Sequence, residues 1–481
     1  MILTLSQWLA LAPMLALAAG IVGLMLLIAI TRNHAATAQL TTLGFLIATA
    51  ATELSSGAVG VTPLLLVDDW ARAVTVLVLL TGALATLLAY GYLEKIGEDR
   101  EEWYLLLLLA SLGAVTLAGA RHVASFMLGL ELLAVSLFGL IAYTRDSKRS
   151  LEAAIKYLVL SAAGSATLLF GFALVYAATG TMAFDALPRS LVSVAGEDLA
   201  LATIGAGMVW VGVGFKLSLV PFHLWTADVY EGAPAPVTAF LATVSKGAVA
   251  AVAMRWLVAQ PLAPTLVEAL TVIAVATMLL GNLLALLAEN LKRLLAYSSI
   301  AHFGYLLVPL IVGGETAREA VLVYLVGYFV MTLGCFGVIT MLSASHADGE
   351  AEHLHDYRGL FWRRPYLTSV MTPMLLALAG IPLTLGFLAK FYVLAAGVDT
   401  RAWLLVAAVV LGSAIGLYYY LRVIIAMFLP HPETEFDRVT LSERTVTGGV
   451  ALALLFAALF GLGTFPAGLL EVLQPAAAAL R

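Results

Sequence analysis

Lys216, His223, Asp228, Glu231 and Lys246 all fall within one 35-residue stretch, GVGFKLSLVPFHLWTADVYEGAPAPVTAFLATVSK (Gly212–Lys246), which begins and ends inside long apolar runs. The same stretch holds prolines at 221, 234 and 236. A lysine at the centre of a bilayer costs about 2.5–3.5 kcal/mol on insertion scales. Prolines at that depth remove backbone hydrogen bonds that lipid does not replace. A chain that keeps both penalties together is expected to build a polar, hydrated pocket between broken helices, as a transport site requires.

Four basic residues lie inside apolar segments: Lys156, Lys216, Lys246 and Lys390. Glu131, in FMLGLELLAVSLFGL, is the clearest intramembrane acid, and His302, in YSSIAHFGYLL, belongs to the same class. Lys156 sits one turn inside its segment, where a lysine can snorkel to the interface. Lys216, Lys246 and Lys390 cannot all escape that way, because each has long apolar flanks or a helix break beside it. Groups of this kind suit proton handling. Burial disfavours the charged form of a lysine or a glutamate, and an opposite charge restores it. At an effective dielectric near 20, charges about 8 Å apart interact by roughly 2 kcal/mol. Moving one charge against about 200 mV costs roughly 4–5 kcal/mol. Several coupled switches, reset by an outside energy source, are therefore needed to drive a proton uphill.

Composition limits where that source can be. The chain is 62% hydrophobic and 11% charged, with mean hydropathy +1.00, which is the signature of a polytopic membrane protein. Its net charge of −5 is thinly spread, without a basic block for nucleic acid. Cys335 is the single cysteine, so an internal disulfide, CxxC redox chemistry and iron–sulfur ligation are excluded, and no GxGxxG run suggests a nucleotide site. Without an energy source of its own, the chain is expected to work inside a larger assembly.

Spanning takes about 20 apolar residues at 1.5 Å each. That ruler predicts an all-α protein with about fourteen transmembrane helices near 6–29, 36–55, 70–92, 103–119, 123–143, 153–178, 199–220, 235–259, 265–288, 293–312, 317–343, 366–397, 402–428 and 446–465. The small-residue run Ala16–Ala18 resembles a signal cleavage site, but no Lys or Arg precedes it, so a first membrane helix is expected. The twelfth segment holds Pro373 and Pro382 and is too long for one straight crossing, so it is expected to break, as is the seventh. Lys and Arg fall fourteen to six in favour of odd-numbered loops; Lys292 and Arg422 are among the fourteen, and Arg255 is among the six. The odd loops are then cytoplasmic and both termini lie outside. The polar connections Ser343–Arg364 and Pro430–Arg444 read as surface loops and not as domains.

Glu131 precedes Lys216 by 85 residues and His302 precedes Lys390 by 88, and each lysine lies near a proline, Pro221 or Pro382. Five-helix units, segments four to eight and nine to thirteen, would therefore be related as an inverted repeat. The expected organisation is an N-terminal three-helix segment (1–102), two repeats (103–260 and 261–430), and a C-terminal loop and helix (431–481). Lys246 has no lysine counterpart in the second unit, where Tyr418, Tyr419, Tyr420 and Arg422 lie instead.

The runs LGLELLAVSLFGL, EAAIKYLVLSAAGSATLLFG, FKLSLVPFHLWTADVYEGAPAPVTAFL, NLKRLLAYSSIAHFGYLL and LAGIPLTLGFLAKFYVL closely resemble the antiporter-like subunits of respiratory complex I, over roughly residues 103–430. YEGAP after PFHLW is more characteristic of the subunit N branch than of its sisters, and Lys390 stands where subunit M typically has glutamate. Ala227 and Leu383 depart from the family, which usually has proline at both positions. The resemblance implies a switching ion pair between Glu131 and Lys216, a central axis through Lys246 and His302, and Lys390 at its far end. Lys156, His223, Asp228, Glu231 and Lys292 are accessory candidates, with loop capping the readier role for Asp228 and Glu231. It further implies proton translocation across a bacterial inner membrane, driven by NADH oxidation and quinone reduction in other subunits. FMN, the iron–sulfur clusters and quinone would belong to the whole complex, with no cofactor or metal held here, and subunits K and M would be neighbours. A subunit of a multi-chain Na+/H+ antiporter shares the same charged axis, as does a hydrogenase membrane subunit. A non-conducting spacer is the reading from a different class.

Overall fold

The computed structural model describes residues 3–97, 100–187, 194, 196–259, 263–344, 349–430 and 446–480. Among them, thirteen helices are long and apolar enough to cross a membrane. In order these spans are Leu5–Ile30, His34–Leu54, Asp69–Ile96, Glu101–Ala118, Val123–Ile141, Lys148–Thr179, Asp198–Leu217, Ala235–Val258, Pro264–Leu287, Leu291–Val312, Glu315–Ala344, Trp403–Phe428 and Val446–Thr464. The remaining crossing, twelfth in chain order, consists of two 15-residue helices, Pro365–Ala379 and Leu385–Asp399. A nine-residue helix, Leu224–Gly232, follows the seventh span.

Burial separates the spans by role. The eighth, tenth and eleventh are buried along 100%, 83% and 94% of their most apolar windows, whereas the first is buried along 22%. Uniformly apolar helices carry no amphipathic signal to say which will be central. Only neighbours decide this, and the sixth packs on the seventh, the ninth on the tenth and the fourth on the fifth around the buried set.

The two faces of the bundle are each stitched together. On one face, Lys95 donates to the carbonyls of Ser343 (3.1 Å) and Gly349 (3.0 Å), Arg149 pairs with Glu352 (2.5 Å), and Lys292 pairs with Glu350 (2.5 Å). On the other, a small antiparallel hairpin, Val59–Thr62 with Leu65–Val67, meets Ala120, while Arg121 pairs with Asp185 (2.5 Å).

Several loop assignments need correction. Arg255 lies in the eighth span, buried against Asp68 through two bonds of 2.7 Å, and is not a loop cation. Arg422 lies within the crossing Trp403–Phe428, thirteenth in chain order once the broken one is counted, and donates to the carbonyls of Leu286 (2.9 Å) and Ala288 (2.5 Å). Lys292 lies at the start of the tenth span and is buried. Each is a cation that caps helix carbonyls or meets an acid, a role that charge counting does not see. The hydropathy pattern signals neither the hairpin nor a final helix, Ala467–Ala479, which has 13 residues, fewer than a crossing needs. Arg189, Arg438, Arg444, Arg481 and most of the Pro430–Arg444 connection lie outside the described residues.

Candidate functional site

The backbone creates the site by interrupting two helices. The seventh span stops at Leu217, and Ser218 takes a left-handed φ of 62°. Its freed groups find new partners: Trp225 Nε1 donates to the Phe215 carbonyl (3.1 Å) and the Val220 amide donates to Thr277 Oγ1 (3.0 Å). The twelfth crossing stops at Ala379, with Gly380 at φ 93° and Leu383 at φ 71°. Proline, with φ held near −65°, does not fit the Leu383 conformation, so the departure at that position has a backbone counterpart. The eighth span carries a third irregularity, a wide π turn over Leu241–Ser245 that ends directly before Lys246.

Lys216, in the last turn before the first break, donates to Ser161 Oγ of the sixth span (2.7 Å). Glu131 forms no ion pair with it within 4.0 Å among the described residues, and Glu131 Oε1 is a buried oxygen with no hydrogen-bond partner. The implied Glu131–Lys216 contact is thus open in this state, because Ser161 holds the ammonium. Lys246 is fully buried and donates to Ser299 Oγ (2.9 Å). Its ammonium also lies 5.0 Å from the Tyr230 ring centroid, 5.2 Å from that of Phe303 and 5.8 Å from that of Trp225. Such rings stabilise a desolvated cation without supplying a counter-charge.

Ser299 also receives the Tyr328 hydroxyl (2.7 Å) and lies one helical turn from His302. His302 Nδ1 meets Tyr324 Oη (2.7 Å) and its Nε2 meets Tyr420 Oη (3.3 Å), while Tyr420 bonds Ser298. Beyond His302, Tyr419 donates to Asn282 (3.0 Å) and Asn282 donates to Tyr305 (2.8 Å). The Lys390 ammonium lies 5.2 Å from the Tyr305 ring centroid and donates to the Ala379 carbonyl (2.9 Å). Lys246, His302 and Lys390 therefore belong to one buried polar line of lysine, serine, tyrosine, histidine and amide groups. The ring of Phe215, the residue before Lys216, stacks on Trp225 (5.4 Å), the ring that also faces the Lys246 ammonium.

The accessory residues lie elsewhere. Asp228 bridges Lys156 (2.9 Å) and Arg293 (2.9 Å), and Glu231 also meets Arg293 (2.7 Å). These groups are about one-third exposed and tie the sixth and tenth spans to the short helix Leu224–Gly232. His223 is buried at the break itself. Lys292 donates to the Ala233 carbonyl (2.6 Å), and its partner Glu350 also accepts from Tyr92 (2.6 Å) and from the Ala235 amide at the start of the eighth span (2.8 Å). They border a cavity of about 500 Å³ that Lys95 and Glu231 also line.

Ser161, Ser299, Tyr324, Tyr328, Asn282 and Tyr305 carry no comparable signal in the sequence, since hydroxyls and amides in apolar helices do not stand out as charges do; Glu350 lies in a polar connection, where an acid is ordinary. One signal was available. Tyr420 follows Lys390 by 30 residues, the spacing at which Lys246 follows Lys216.

Residues 120–416 match the family described as NADH:quinone oxidoreductase/Mrp antiporter, TM, which includes every residue of the polar line up to Asn282, His302 and Lys390 but stops just short of Tyr419. NADH-quinone oxidoreductase subunit N of Ectopseudomonas mendocina is 50% identical over 98% of this chain and 97% of its own length. The chain belongs to this antiporter family, in its NADH-quinone oxidoreductase subunit N branch. A chain of respiratory complex I from Thermus thermophilus shares 33% identity over 97% of this chain and 99% of its own, with a TM-score of 0.81. The fold alone extends to a chain of the Mrp complex from Dietzia, with 20% identity, a TM-score of 0.85, and coverage of 99% of this chain and 98% of that one. As a member of this branch, the chain is an antiporter-like membrane-arm subunit of NADH:quinone oxidoreductase, a translocase, and a multi-pass membrane protein.

Proposed function

We propose that this subunit moves protons along the line Glu131, Lys216, Lys246, His302 and Lys390, driven by quinone reduction elsewhere in the complex. The observation that carries this reading is the buried polar packing around Lys246: Ser299 bonds both Lys246 and Tyr328, and His302, one turn on, bonds Tyr324 and Tyr420 with its ring 5.6 Å from that of Tyr328. A buried ammonium held by neutral hydroxyls can give up its proton without leaving a carboxylate stranded, which suits a switch better than a tight salt bridge does. Ser161, which takes up Lys216 while Glu131 Oε1 stays unpartnered, provides the second position that an ion-pair switch needs.

Two units, 103–260 and 261–430, act as inverted repeats in this reading, with 1–102 as an N-terminal flank and 431–481 as a C-terminal one. The shared spacing of 30 residues from broken-helix lysine to Lys246 or Tyr420 supports the pairing. Contacts among odd-numbered connections on one face and even-numbered ones on the other support alternate crossings, with both termini on the outer side of a bacterial inner membrane. FMN, iron–sulfur clusters and quinone reside in other subunits, and the membrane neighbours are subunits K and M.

The test measures NADH-driven proton transport and quinone reduction in membranes carrying Lys246→Ala or Glu131→Gln. Both variants are expected to assemble, to oxidise NADH normally with an artificial electron acceptor, and to lose coupled transport. Fully coupled enzyme would overturn the proposal in favour of a spacer, and ion exchange independent of NADH would favour an antiporter.

A further inference from the structure

The ends of membrane spans lie where headgroups are, and at one of them the chain gathers cations that it does not neutralise. The connection from the eleventh span to the broken twelfth closes with a short helix, Leu360–Arg363, and enters Pro365–Ala379 through Arg364. The Gly359 amide, at a left-handed φ of 69°, donates to the Ala426 carbonyl (3.2 Å) and sets this turn against the end of the crossing Trp403–Phe428. Phe361 stacks on Phe428, with 4.7 Å between ring centroids. Trp362 Nε1 donates to the Phe428 carbonyl (3.1 Å), and the residue stays about half-exposed.

Arg363 and Arg364 come next in the chain. Arg363 donates through Nη2 to the carbonyls of Asp356 and Arg358 (both 2.9 Å), and its buried Nε has no partner. Arg364 is partly buried, and among the described residues no acid pairs with it and no acceptor meets its side chain. Burial, and then the neighbouring Arg363 charge, push its pKa below the ordinary arginine value. The acid of this turn, Asp356, is already engaged by His355 (3.2 Å) and by the His353 amide (2.9 Å). A cation held partly out of water with no counter-charge is costly, and an outside anion would remove that cost. Leu421, Ile425, Phe428 and Leu429 are exposed on one face of the adjoining helix and lead from this turn into membrane depth. Cations at the boundary, an interfacial tryptophan and an apolar strip beneath them reproduce the order of groups along a phospholipid. An acidic protein segment would use the charge and leave the strip unexplained.

We propose that Arg363 and Arg364 form a headgroup site for an anionic phospholipid whose acyl chains lie along the Leu421–Leu429 face. Guanidinium groups present their N–H donors in a planar fork that matches phosphate oxygens, and a charged acceptor gives the stronger bond. In the orientation proposed above this face meets the cytoplasmic leaflet, where anionic lipids attract basic groups beside a span. The site lies outside the proton line and does not depend on it.

The test uses the whole complex, depleted of lipid and then given phosphatidylglycerol with a photoactivatable acyl chain. The phosphatidylcholine analogue, of no net charge, is the control, and cross-linked peptides are read by mass spectrometry. Phosphatidylglycerol is expected to label the segment Tyr418–Leu429, and excess unlabelled phosphatidylglycerol to suppress that labelling; phosphatidylcholine is expected to do neither. Arg363→Gln with Arg364→Gln should weaken the competition roughly thirtyfold, and Arg364→Gln alone about fivefold, the scale of one basic residue beside an anionic headgroup. The subunit content of each purified complex checks assembly. Should the double variant not assemble, Arg364→Gln and the lipid comparison in the wild-type complex decide. Equal labelling by the two lipids, or labelling unchanged by the substitutions, overturns the proposal, because the face would then bind chains without reading a headgroup. Absence of labelling overturns it as well, the outcome expected if a neighbouring subunit or an acidic protein segment covers the arginines.

Discussion

The two helix breaks hold their lysines by opposite means. At the first, Lys216 precedes the break and reaches sideways to the hydroxyl of Ser161 on another helix. At the second, Lys390 follows the break and reaches back to the Ala379 carbonyl, the end of the helix just interrupted. Free carbonyls at a helix C-terminus carry about half a negative charge. Lys390 is thus stabilised by its own backbone and needs no acid, whereas Lys216 depends on a neutral hydroxyl and has Glu131 within electrostatic reach. The arrangement at the first break is built to exchange partners, and that at the second is built to keep one. Turn chemistry follows the same division. Gly380 adopts φ 93° directly under the Lys390 stem, while Ser218 adopts φ 62° and bonds Thr226 (2.6 Å).

Reversing the charge should separate the two sites most sharply. Lys390→Glu turns a carboxylate toward those carbonyls in a buried site, and a cost of about 3–5 kcal/mol is expected. It should be read as loss of thermal stability of the purified complex together with loss of proton transport. An equally stable variant would show that the helix end does not hold Lys390. Ser161→Ala removes a bond to a charged donor, with an expected cost of about 1.5–3 kcal/mol. Because Glu131 is available as a second partner, stability should fall less than transport does, and a double variant with Glu131→Gln should be more than additive. Strict additivity would mean that the two groups do not share Lys216.

Gly380→Ala is expected to cost about 1–2 kcal/mol for a left-handed conformation with a Cβ. That Cβ would also sit 2.9 Å from Lys390 Cδ. Transport should therefore fall in step with stability, and an unaffected Lys390 function would detach the glycine from the site. The smallest effect is expected at the one-third-exposed pair. Asp228→Asn should change stability by about 1 kcal/mol or less, and less still in high salt, since exposed ion pairs are screened. A loss of transport out of proportion to that change would make Asp228 part of the proton route and not a brace.

The charged members of the line were legible because lysine, glutamate and histidine inside apolar runs are costly enough to demand a reason. Broken helices were legible at the two crossings where proline or excess length contradicted a straight rod. The neutral members were not. Serine and tyrosine are tolerated in membrane helices wherever a neighbour accepts their hydrogen bond, so Ser299 and Tyr324 look no different in sequence from Thr340, whose hydroxyl bonds the Phe336 carbonyl of its own helix (2.7 Å). Likewise, Arg255 reads as a loop cation in the sequence because its partner Asp68 lies 187 positions earlier.

The amino-acid order alone determined that this is a many-span membrane chain, which ionisable groups lie at membrane depth, and which family it joins, since hydropathy and local motifs are properties of contiguous residues. Only the tertiary arrangement decided that the eighth, tenth and eleventh spans are the most buried ones, that Lys216 rests on Ser161 with Glu131 Oε1 unpartnered, and that Asn282 bonds both Tyr305 and Tyr419. Those outcomes depend on which apolar helix packs against which, and helices that are hydrophobic on every side do not encode their neighbours in any local pattern.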